Sequence, residues 1–361
     1  MPRVADLGIR IGVLPAGPTD SILDVPEVGL GHATVWRDEP APPEGRGVAR
    51  TGVTVIDPGG NPFRFPIPFG GAILNGAGEC TGFLAAAEWG LLETPIFLTS
   101  TMQLGRVYDA ACELLMAEDD GIGEPDVIIP VVAECDDSFL SDPRRMQVSP
   151  DDVATAIAAA RDSEGSFIAP PEGAVGSGTG MSCLGFKGGI GTSSRLIPDG
   201  STVGVVVMTN FGERHRLTVD GVPVGRLLPE SQPATPAAPP AGSCLVVVLT
   251  DGPLDAAACT RLARRAGLGL ARAGSTAHHG SGEIFLCAAT GLRAPRGQSS
   301  TERPVTGSAL DAYFEAVVDA TETAVLNSLL QAPTVTGHLG NTSVGLPADD
   351  VMRLLRAHGR G

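Results

Sequence analysis

The sequence is poor in basic residues, and this shortage excludes two classes of partner. Lysine and arginine together number 25 against 41 aspartates and glutamates, which gives a formal net charge of −16 at pH 7. Binding a nucleic-acid backbone or an anionic membrane requires concentrated positive charge that replaces counterions. We therefore expect no nucleic acid and no membrane among the partners.

A long apolar run is also missing. No stretch of the sequence approaches the roughly 20 apolar residues that span a bilayer. The segment from Met1 to Asp6 has no apolar export segment behind its charges. We therefore expect a cytoplasmic protein.

The sequence lacks the usual spacings of metal ligands. Its 7 cysteines are an odd number, widely spaced and without a CxxC pair, which disfavours a disulfide framework and a zinc knuckle. Its 6 histidines include no HExxH pattern. We expect buried, reduced thiols, no metal and no cofactor.

Aromatic residues are scarce, so the core must consist mainly of Val, Leu, Ile and Ala. Aromatics make up 4% of the chain, while all hydrophobic residues make up 43%. The 48 glycines and 30 prolines are typical of a globular protein with short strands and tight turns. At 361 residues the chain is longer than the chains that usually fold around one simple core. This length predicts one large layered domain or two ordinary ones.

Strand and helix patterns are mixed along the chain. Short apolar runs between turn residues predict strands at residues 53–57, 95–100, 127–133, 202–210, 243–252 and 283–290. Helices are predicted from Pro150, over residues 255–273 and from Ser308 onward. This mixture predicts an α+β fold.

Two proline-rich segments are predicted to be exposed connectors, residues 38–47 and residues 229–242. The second is followed without a gap by SCLVVVLTDG from Ser243, a β-branched run typical of a strand that is buried on both faces. A connector therefore ends where a core strand begins.

The junction between Gly242 and Ser243 has the elements of a self-cleaving bond. Glycine tolerates distorted dihedrals, and the hydroxyl that follows it can attack the upstream carbonyl. Cleavage would free an α-amine at Ser243, whose ordinary pKa of about 7.7 to 8.0 suits a general base at neutral pH. On the residues alone, a strand that simply starts with serine after a loop is the more common identity.

Two further segments contain side chains that are able to take part in catalysis or binding. Ser281 and Glu283 are two residues apart at the start of a predicted strand, so they share a face and can relay protons, although an exposed turn is the more common identity. Residues 175–195 are rich in glycine around Lys187 but match neither a phosphate-binding loop nor a dinucleotide fingerprint. A hairpin that another backbone approaches closely is the favoured interpretation.

Polar side chains follow three apolar runs. Asn75, Glu134 and Asn210 each lie at or near the end of an apolar, strand-like run. Such residues are either turn formers or site residues, and the residues alone favour turn formers.

The linked motifs resemble one family over nearly the whole chain, the L-aminopeptidase D-amidase/D-esterases and β-peptidyl aminopeptidases. They occur in the order SILDVPEVGLGHATV, RTGVTVI, LNGAGECTG, PVVAECDDSFLSD, GSGTGMSCLGFKGGIGTSSR, GVPVG, GSCLVVVLTDGPL and GSGEIF.

The resemblance implies roles for the candidate residues. It places the cut between Gly242 and Ser243, with Ser243 as nucleophile and with Ser281 and Glu283 as the assisting serine and acid. It further implies that Asn210 stabilises the oxyanion and that Glu134 receives the free amine of the substrate. We also place Asn75 among the substrate-binding residues.

The same resemblance implies an architecture. The fold is expected to be a four-layer αββα sandwich like that of the ornithine acetyltransferases. We expect residues 1–361 to form one such domain, cut into an alpha subunit of residues 1–242 and a beta subunit of residues 243–361. The processed heterodimers are expected to form a homo-oligomer.

The expected activity is release of N-terminal residues from small peptides, amides or esters through an acyl-enzyme on Ser243. Two alternatives stay open, an acyltransferase of the ornithine acetyltransferase type and an inactive, unprocessed homologue. The chain departs from the family pattern at Asp136, where some members have an aromatic residue, and at His278 and His279, where small polar residues are frequent. The substrate is therefore not predicted.

Overall fold

The structure is a computed structural model that describes residues 1–124, 126–229 and 242–360. Within these ranges two β-sheets lie face to face, and helices cover the outer face of each sheet. The layers therefore follow the order helix, sheet, sheet, helix. The predicted α+β class and αββα sandwich are confirmed.

The described ranges form short and long strands. In chain order they are β1 Gly29–Asp38, β2 Val48–Asp57, β3 Ile67–Gly76, β4 Cys80–Thr81, β5 Leu91–Leu92, β6 Ile96–Ser100, β7 Val131–Cys135, β8 Ser182–Cys183, β9 Phe186–Lys187, β10 Gly189–Leu196, β11 Thr202–Asn210, β12 Ser243–Thr250, β13 Gly282–Ala289, β14 Val335–Thr336 and β15 Thr342–Ser343. The α-helices are α1 Phe83–Trp89, α2 Leu104–Glu118, α3 Pro150–Asp162, α4 Val224–Leu227, α5 Ala256–Ala273, α6 Asp311–Leu330 and α7 Ala348–Ala357.

Each large sheet contains a parallel pair next to antiparallel neighbours. The first sheet has the order β1-β2-β6-β7-β4, in which β6 and β7 run parallel. The second has the order β10-β11-β12-β13-β3-β5, in which β12 and β13 run parallel. The strand that starts at Ser243 is therefore central, with a hydrogen-bonded neighbour on each side.

Alternation along the strands builds three apolar layers. Neighbouring strand residues point to opposite faces, so Leu98 and Val247 lie between the sheets while Phe97 and Val246 face outward. Helices α2 and α3 cover Phe97, and α5 and α6 cover Val246. All four side chains are completely buried, and each such burial stabilises the fold by about 1.5 to 3 kcal/mol.

The predicted strand boundaries are confirmed to within one residue for β6, β11 and β13. Strand β2 begins five residues earlier than predicted, and β12 ends two residues earlier. Strand β11 has the predicted bounds, and β12 begins at Ser243 as predicted. Strand β7 begins at Val131 rather than Val127. Val127 is 65% exposed, and Pro130 has no N–H to donate to a neighbouring strand.

Helix ends follow the predicted capping signals. Ser149 and Asp152 form a reciprocal capping box at the start of α3, with Pro150 in the first turn. Asp255 caps the start of α5, and Gly274 is the C-cap residue that follows its last residue. Helix α6 differs from the predicted one-faced pattern, because most of its residues are buried between α5 and the strands β10 and β11.

Of the two predicted connectors, only the first lies within the described residues. Residues 38–47 join β1 to β2, as expected of a connector. The segment of residues 229–242 lies outside the described residues apart from its ends, Pro229 and Gly242. In the described part of the chain, no helix has both the length and the apolarity needed to cross a membrane.

Candidate functional site

Strand register brings four neighbouring strands together at one end of the second sheet. Asn210, the last residue of β11, lies opposite Ser243, the first residue of β12. Ser243 is level with Gly282 on the parallel strand β13, and Gly282 pairs with Gly76 at the end of β3. Residues that are far apart in the sequence thus become lateral neighbours.

Ser243 is buried at this end, with 7% of its surface exposed. The Gly282 N–H lies 3.3 Å from the Ser243 Oγ and 3.2 Å from the carbonyl oxygen of Gly242. One backbone donor therefore contacts both the hydroxyl and the carbonyl of the preceding peptide bond.

The position before Ser243 accepts glycine alone. A Cβ on Gly242 would lie 1.9 Å from the carbonyl oxygen of Asn210, far inside van der Waals contact. The chain entering β12 therefore passes directly against the end of β11.

Ser281 and Glu283 form a buried hydrogen-bonded pair at the start of β13. The Ser281 hydroxyl donates to Glu283 Oε1. Burial raises the pKa of the Glu283 carboxyl, and the Ser281 bond and the nearby His278 act in the opposite direction. Glu283 Oε2 is buried without a hydrogen-bond partner among the described residues. The raised pKa lets this pair take up and release a proton at a higher pH than an ordinary glutamate does.

Asn210 is fixed by contacts on both ends of its carboxamide. Its Nδ2 donates to the carbonyl oxygen of Asp136 over 2.7 Å, and its Oδ1 accepts from the Ser182 N–H over 3.0 Å. A carboxamide nitrogen carries two hydrogens, and one of them is used by Asp136 in the described structure. The other has no acceptor among the described residues.

The side-chain amide nitrogen of Asn75 donates hydrogen bonds to the protein backbone. Nδ2 donates to the carbonyl oxygens of Ser281 and His278 over 2.6 and 2.8 Å. These bonds hold the loop that leads into β13. The structure therefore gives Asn75 a positioning contact, and its part in substrate binding stays a prediction.

Glu134 belongs to the other sheet, on β7, and is 4% exposed. Its Oε1 accepts from the Glu79 N–H over 2.9 Å, and its Oε2 accepts from the Thr101 hydroxyl. Burial raises its pKa, the negative charges of Asp136 and Glu79 add to this, and the two hydrogen bonds oppose it. Within the described ranges Glu134 forms no ion pair.

Gly78 shows that Glu134 and the end of the second sheet enclose one space. A Cβ built on Gly78 would lie 3.4 Å from Glu134 Oε1 and 3.7 Å from the Gly282 Cα. Gly282 is the neighbour of Ser243. The carboxylate on one sheet and the hydroxyl on the other therefore border a common site.

The glycine-rich segment of residues 175–195 contacts Asn210 and forms the predicted hairpin, which consists of β8 and β9. Its close approach to another backbone is confirmed at Gly189, where a Cβ would lie 1.9 Å from the Gly173 carbonyl oxygen. The segment also carries Ser182, whose N–H holds Asn210.

Lys187, the single lysine of the chain, is completely buried in this segment. Its Nζ donates to the carbonyl oxygens of Gly178, Met181 and Gly188 over 3.0, 2.7 and 2.7 Å. Burial lowers its pKa to about 7. The nearby Cys183 and Asp137 act in the opposite direction, because negative charge on either group favours the charged amine.

Several residues of the site were missed in the sequence, namely Gly78, Thr101, Ser182 and Gly282. Each is a common residue type in its segment and contacts the site only because of strand register or sheet packing. The glycines in LNGAGECTG and GSGEIF were a faint signal, since glycine marks places of close backbone approach.

The assembled site offers four chemical capabilities. It has a hydroxyl, an acid with a raised pKa, amide donors and a buried carboxylate that can bind a cation. In the described ranges no group of three or more His, Cys, Asp or Glu side chains is arranged to hold a metal ion.

Comparison with known proteins gives relatives of full length. The chain is 37% identical over 373 residues to β-peptidyl aminopeptidase BapA of Sphingosinicella xenopeptidilytica, which covers 99% of this chain and 91% of that protein. The β-aminopeptidase of a Burkholderia species superposes with a TM-score of 0.89 and 38% identity over 100% of both chains.

A second solved structure has a similar likeness. The L-aminopeptidase D-Ala-esterase/amidase of Ochrobactrum anthropi has a TM-score of 0.89 and 32% identity over 100% of this chain and 99% of that one. It is described as a prototype for the serine aminopeptidases and as a variant of the Ntn hydrolase fold.

The family model of peptidase family S58 matches residues 20–343, a span that includes every side chain of the site. Both the resemblance seen in the motifs and the superposed folds agree with this match. The protein is therefore a hydrolase that belongs to peptidase family S58.

Proposed function

We propose that the protein is a self-processing serine aminopeptidase with Ser243 as its nucleophile. The observation that carries this proposal is the position of Ser243 at the start of β12, where its hydroxyl and the Gly242 carbonyl share the Gly282 N–H. A donor at the carbonyl oxygen stabilises the negative charge that forms there during attack.

Processing begins with attack of the Ser243 Oγ on the Gly242 carbonyl carbon. The peptide C–N bond breaks, the nitrogen takes a proton and an ester forms between Gly242 and the Ser243 oxygen. Water then hydrolyses this ester, which leaves a carboxylate on Gly242 and an α-amine on Ser243. The products are residues 1–242 and residues 243–361.

The new α-amine then serves as the base for turnover. It accepts the proton of the Ser243 hydroxyl, which attacks the substrate carbonyl to form an acyl-enzyme. Ser281 and Glu283 accept and return protons during this exchange. The free N–H of Asn210 and the Gly282 N–H stabilise the oxyanion.

Glu134 gives the enzyme its exo specificity. Its carboxylate binds the ammonium group of the substrate, which compensates a buried negative charge. The substrates are accordingly small peptides, amides or esters with a free amino terminus. The aminopeptidase names of the relatives in Sphingosinicella and Ochrobactrum support this assignment.

The deciding experiment is intact-mass measurement of the purified wild type and of Ser243→Ala. We expect two fragments cut after Gly242 in the wild type and one full-length, inactive chain in the variant. Ser308→Ala, at an exposed serine, is the matched control and should be cut normally. Two fragments from Ser243→Ala would show that an outside protease cuts the chain and would refute self-processing.

A further inference from the structure

The loop between α5 and β13, residues 274–281, contains two histidines next to the buried pair of Ser281 and Glu283. Ala277 in this loop has a φ of 48°, in the left-handed region that favours glycine. Such a backbone persists only where the surrounding structure holds it. The course of the loop is therefore fixed by contacts with its neighbours.

Two hydrogen bonds fix His278 beside the pair. Its carbonyl oxygen accepts the Ser281 N–H over 2.8 Å and the Asn75 Nδ2–H over 2.8 Å. Asn75 lies on β3, directly opposite Glu283 in the strand pairing. Both bonds use the main-chain oxygen of His278, so they remain whatever side chain is present at this position.

The pair itself is shielded from solvent. Ser281 is 2% exposed, and Glu283 is completely buried. Ser281 donates to Glu283 Oε1, and Glu283 Oε2 has no hydrogen-bond partner among the described residues. A buried acid that takes up and returns a proton in each turnover needs a group that exchanges this proton with solvent.

Among the described residues, His278 is a titratable side chain near Glu283 that also reaches solvent. His278 is partly exposed. Burial raises the pKa of the Glu283 carboxyl, and the charge of His278 opposes this rise. The other titratable groups near Glu283 are the buried thiols of Cys135 on β7 and Cys244 on β12, whose pKa burial raises well above the ordinary range, so both keep their protons. Cleavage adds the α-amine of Ser243, the base of the proposed reaction.

We propose that His278 carries protons between solvent and the Ser281–Glu283 pair, and so resets the pair after each turnover. The inference rests on the proposed aminopeptidase function. His278 acts through Glu283 rather than on the substrate, which makes it a positioning residue. Imidazole suits this exchange, because it changes charge between about pH 5 and 8.

The proton balance of a test reaction shows what the route has to carry. Hydrolysis of a p-nitroanilide at neutral pH yields a carboxylate, neutral p-nitroaniline and one proton. That proton ends on Glu283, whose carboxyl gives it to the neutral imidazole of His278 and becomes a carboxylate. The resulting imidazolium ion then releases a ring proton to a buffer base.

The first test measures steady-state kinetics of His278→Ala and His278→Gln in dilute buffer, on the aminoacyl or β-aminoacyl p-nitroanilide that the wild type hydrolyses fastest. We expect kcat to fall by about tenfold, less than the roughly 100-fold or more contributed by a group that acts on the reacting atoms. The value of kcat/KM should stay unchanged, because the exchange follows acyl transfer. The matched control, His279→Gln at the exposed neighbouring position, should keep the wild-type kcat.

The second test adds free imidazole, which can exchange protons with the pair in place of the missing side chain. The kcat of both His278 variants should rise with imidazole concentration towards the wild-type value. Sodium chloride at equal ionic strength should restore nothing. A disturbed fold would instead lower the melting temperature and would not respond to imidazole.

The outcomes separate the two proposals. A processed wild type that hydrolyses no aminoacyl or β-aminoacyl p-nitroanilide would overturn the aminopeptidase function. Wild-type kcat in both His278 variants, or a loss of kcat that imidazole does not restore, would overturn the proton route and leave the aminopeptidase function standing.

Discussion

At the scale of single residues, Glu134 is a carboxylate with two hydrogen-bond donors and, among the described residues, no cation. Glu134→Gln keeps the shape of the side chain and removes its charge. We expect kcat/KM for free-amine substrates to fall by the equivalent of roughly 2 to 5 kcal/mol, because a desolvated ion pair with the substrate is lost. Self-cleavage after Gly242 needs no amine recognition and should continue.

The control for this prediction is Glu88→Gln, at an exposed glutamate on α1. Steady-state kinetics on free-amine and N-acetylated forms of one substrate provides the measurement. Equal rates of the wild type on both forms would contradict the role given to Glu134.

The pH profile of the same variant offers an independent readout. Burial raises the pKa of Glu134, so its carboxylate takes up a proton at a higher pH than an ordinary glutamate, whose pKa is about 4.3. The protonated form cannot bind the ammonium by charge, and kcat/KM should therefore decline as pH falls through the raised pKa. Glu134→Gln should lose this part of the acid limb, and the part due to protonation of the Ser243 α-amine and of Glu283 should stay.

Sequence reasoning found the residues with distinctive chemistry but not those that support them. Ser243, Ser281 and Glu283 became candidates because a hydroxyl at a strand start and a Ser–Glu pair are recognisable in the sequence, and the family resemblance then implied their roles. Gly78 has no recognisable role until the two sheets pack together, and Thr101 has none until β6 pairs with β7. These contacts depend on sheet packing and strand pairing, which no local pattern encodes.

At the scale of elements, the start of β12 depends on a glycine. Gly242→Ala would place a Cβ 1.9 Å from the Asn210 carbonyl oxygen and displace the bond to be cut. We expect self-processing to slow by about tenfold or more, because a displacement of about 1 Å at a reacting centre can slow a reaction by more than this factor. Time-resolved gel electrophoresis of freshly translated chain measures the rate.

The control for the glycine is Gly105→Ala, where the added Cβ has no neighbour within 4 Å. It should process at the wild-type rate. Normal processing of Gly242→Ala would show that the backbone at the junction relaxes without harm.

The glycine-rich hairpin is held by one ammonium group. Lys187→Met removes the donor of three buried carbonyls, and each unsatisfied acceptor costs about 1 to 3 kcal/mol. We expect a lower melting temperature and slower processing, because Met181 and Ser182 are neighbours and Ser182 holds Asn210. Thermal unfolding checks the first effect, and an unchanged melting temperature would contradict it.

Elements with complete local signals were predicted well from the sequence. Helix α3 has a capping box and a first-turn proline, and β11 and β12 are unbroken apolar runs between turn residues. Helix α6 was predicted with one apolar face, yet its polar side chains are buried as well, and Asn327 donates to the Thr192 carbonyl over 2.9 Å. In the sequence, a buried polar residue whose hydrogen-bond partner lies on a distant strand cannot be distinguished from a surface residue.

At the scale of the whole molecule, the proposed fragments are interleaved. Strands β12 and β13 of the C-terminal fragment lie between β11 and β3 of the N-terminal fragment. We expect both fragments to remain together after cleavage, because separation would break two strand interfaces and expose the core. Light scattering under native conditions should give a multiple of the 36.8 kDa chain, consistent with the expected homo-oligomer of heterodimers.

This prediction requires that denaturing conditions separate two fragments and that native conditions show a single species. Two bands on a denaturing gel should correspond to one native species that contains both fragments. A fragment that elutes alone without denaturant would contradict the interleaving, and a native mass of one chain would contradict the homo-oligomer.

The burial of Lys187 has a practical consequence for chemical labelling. Since it is the chain's single lysine and is completely buried, an amine-reactive reagent applied to the native protein finds its targets at chain termini. An uncut chain offers only the α-amine of its own N-terminus, while a cut chain adds that of Ser243. The number of labels per protomer therefore counts the cleavage event, and protection of the second amine by a bound substrate would report occupancy of the active site.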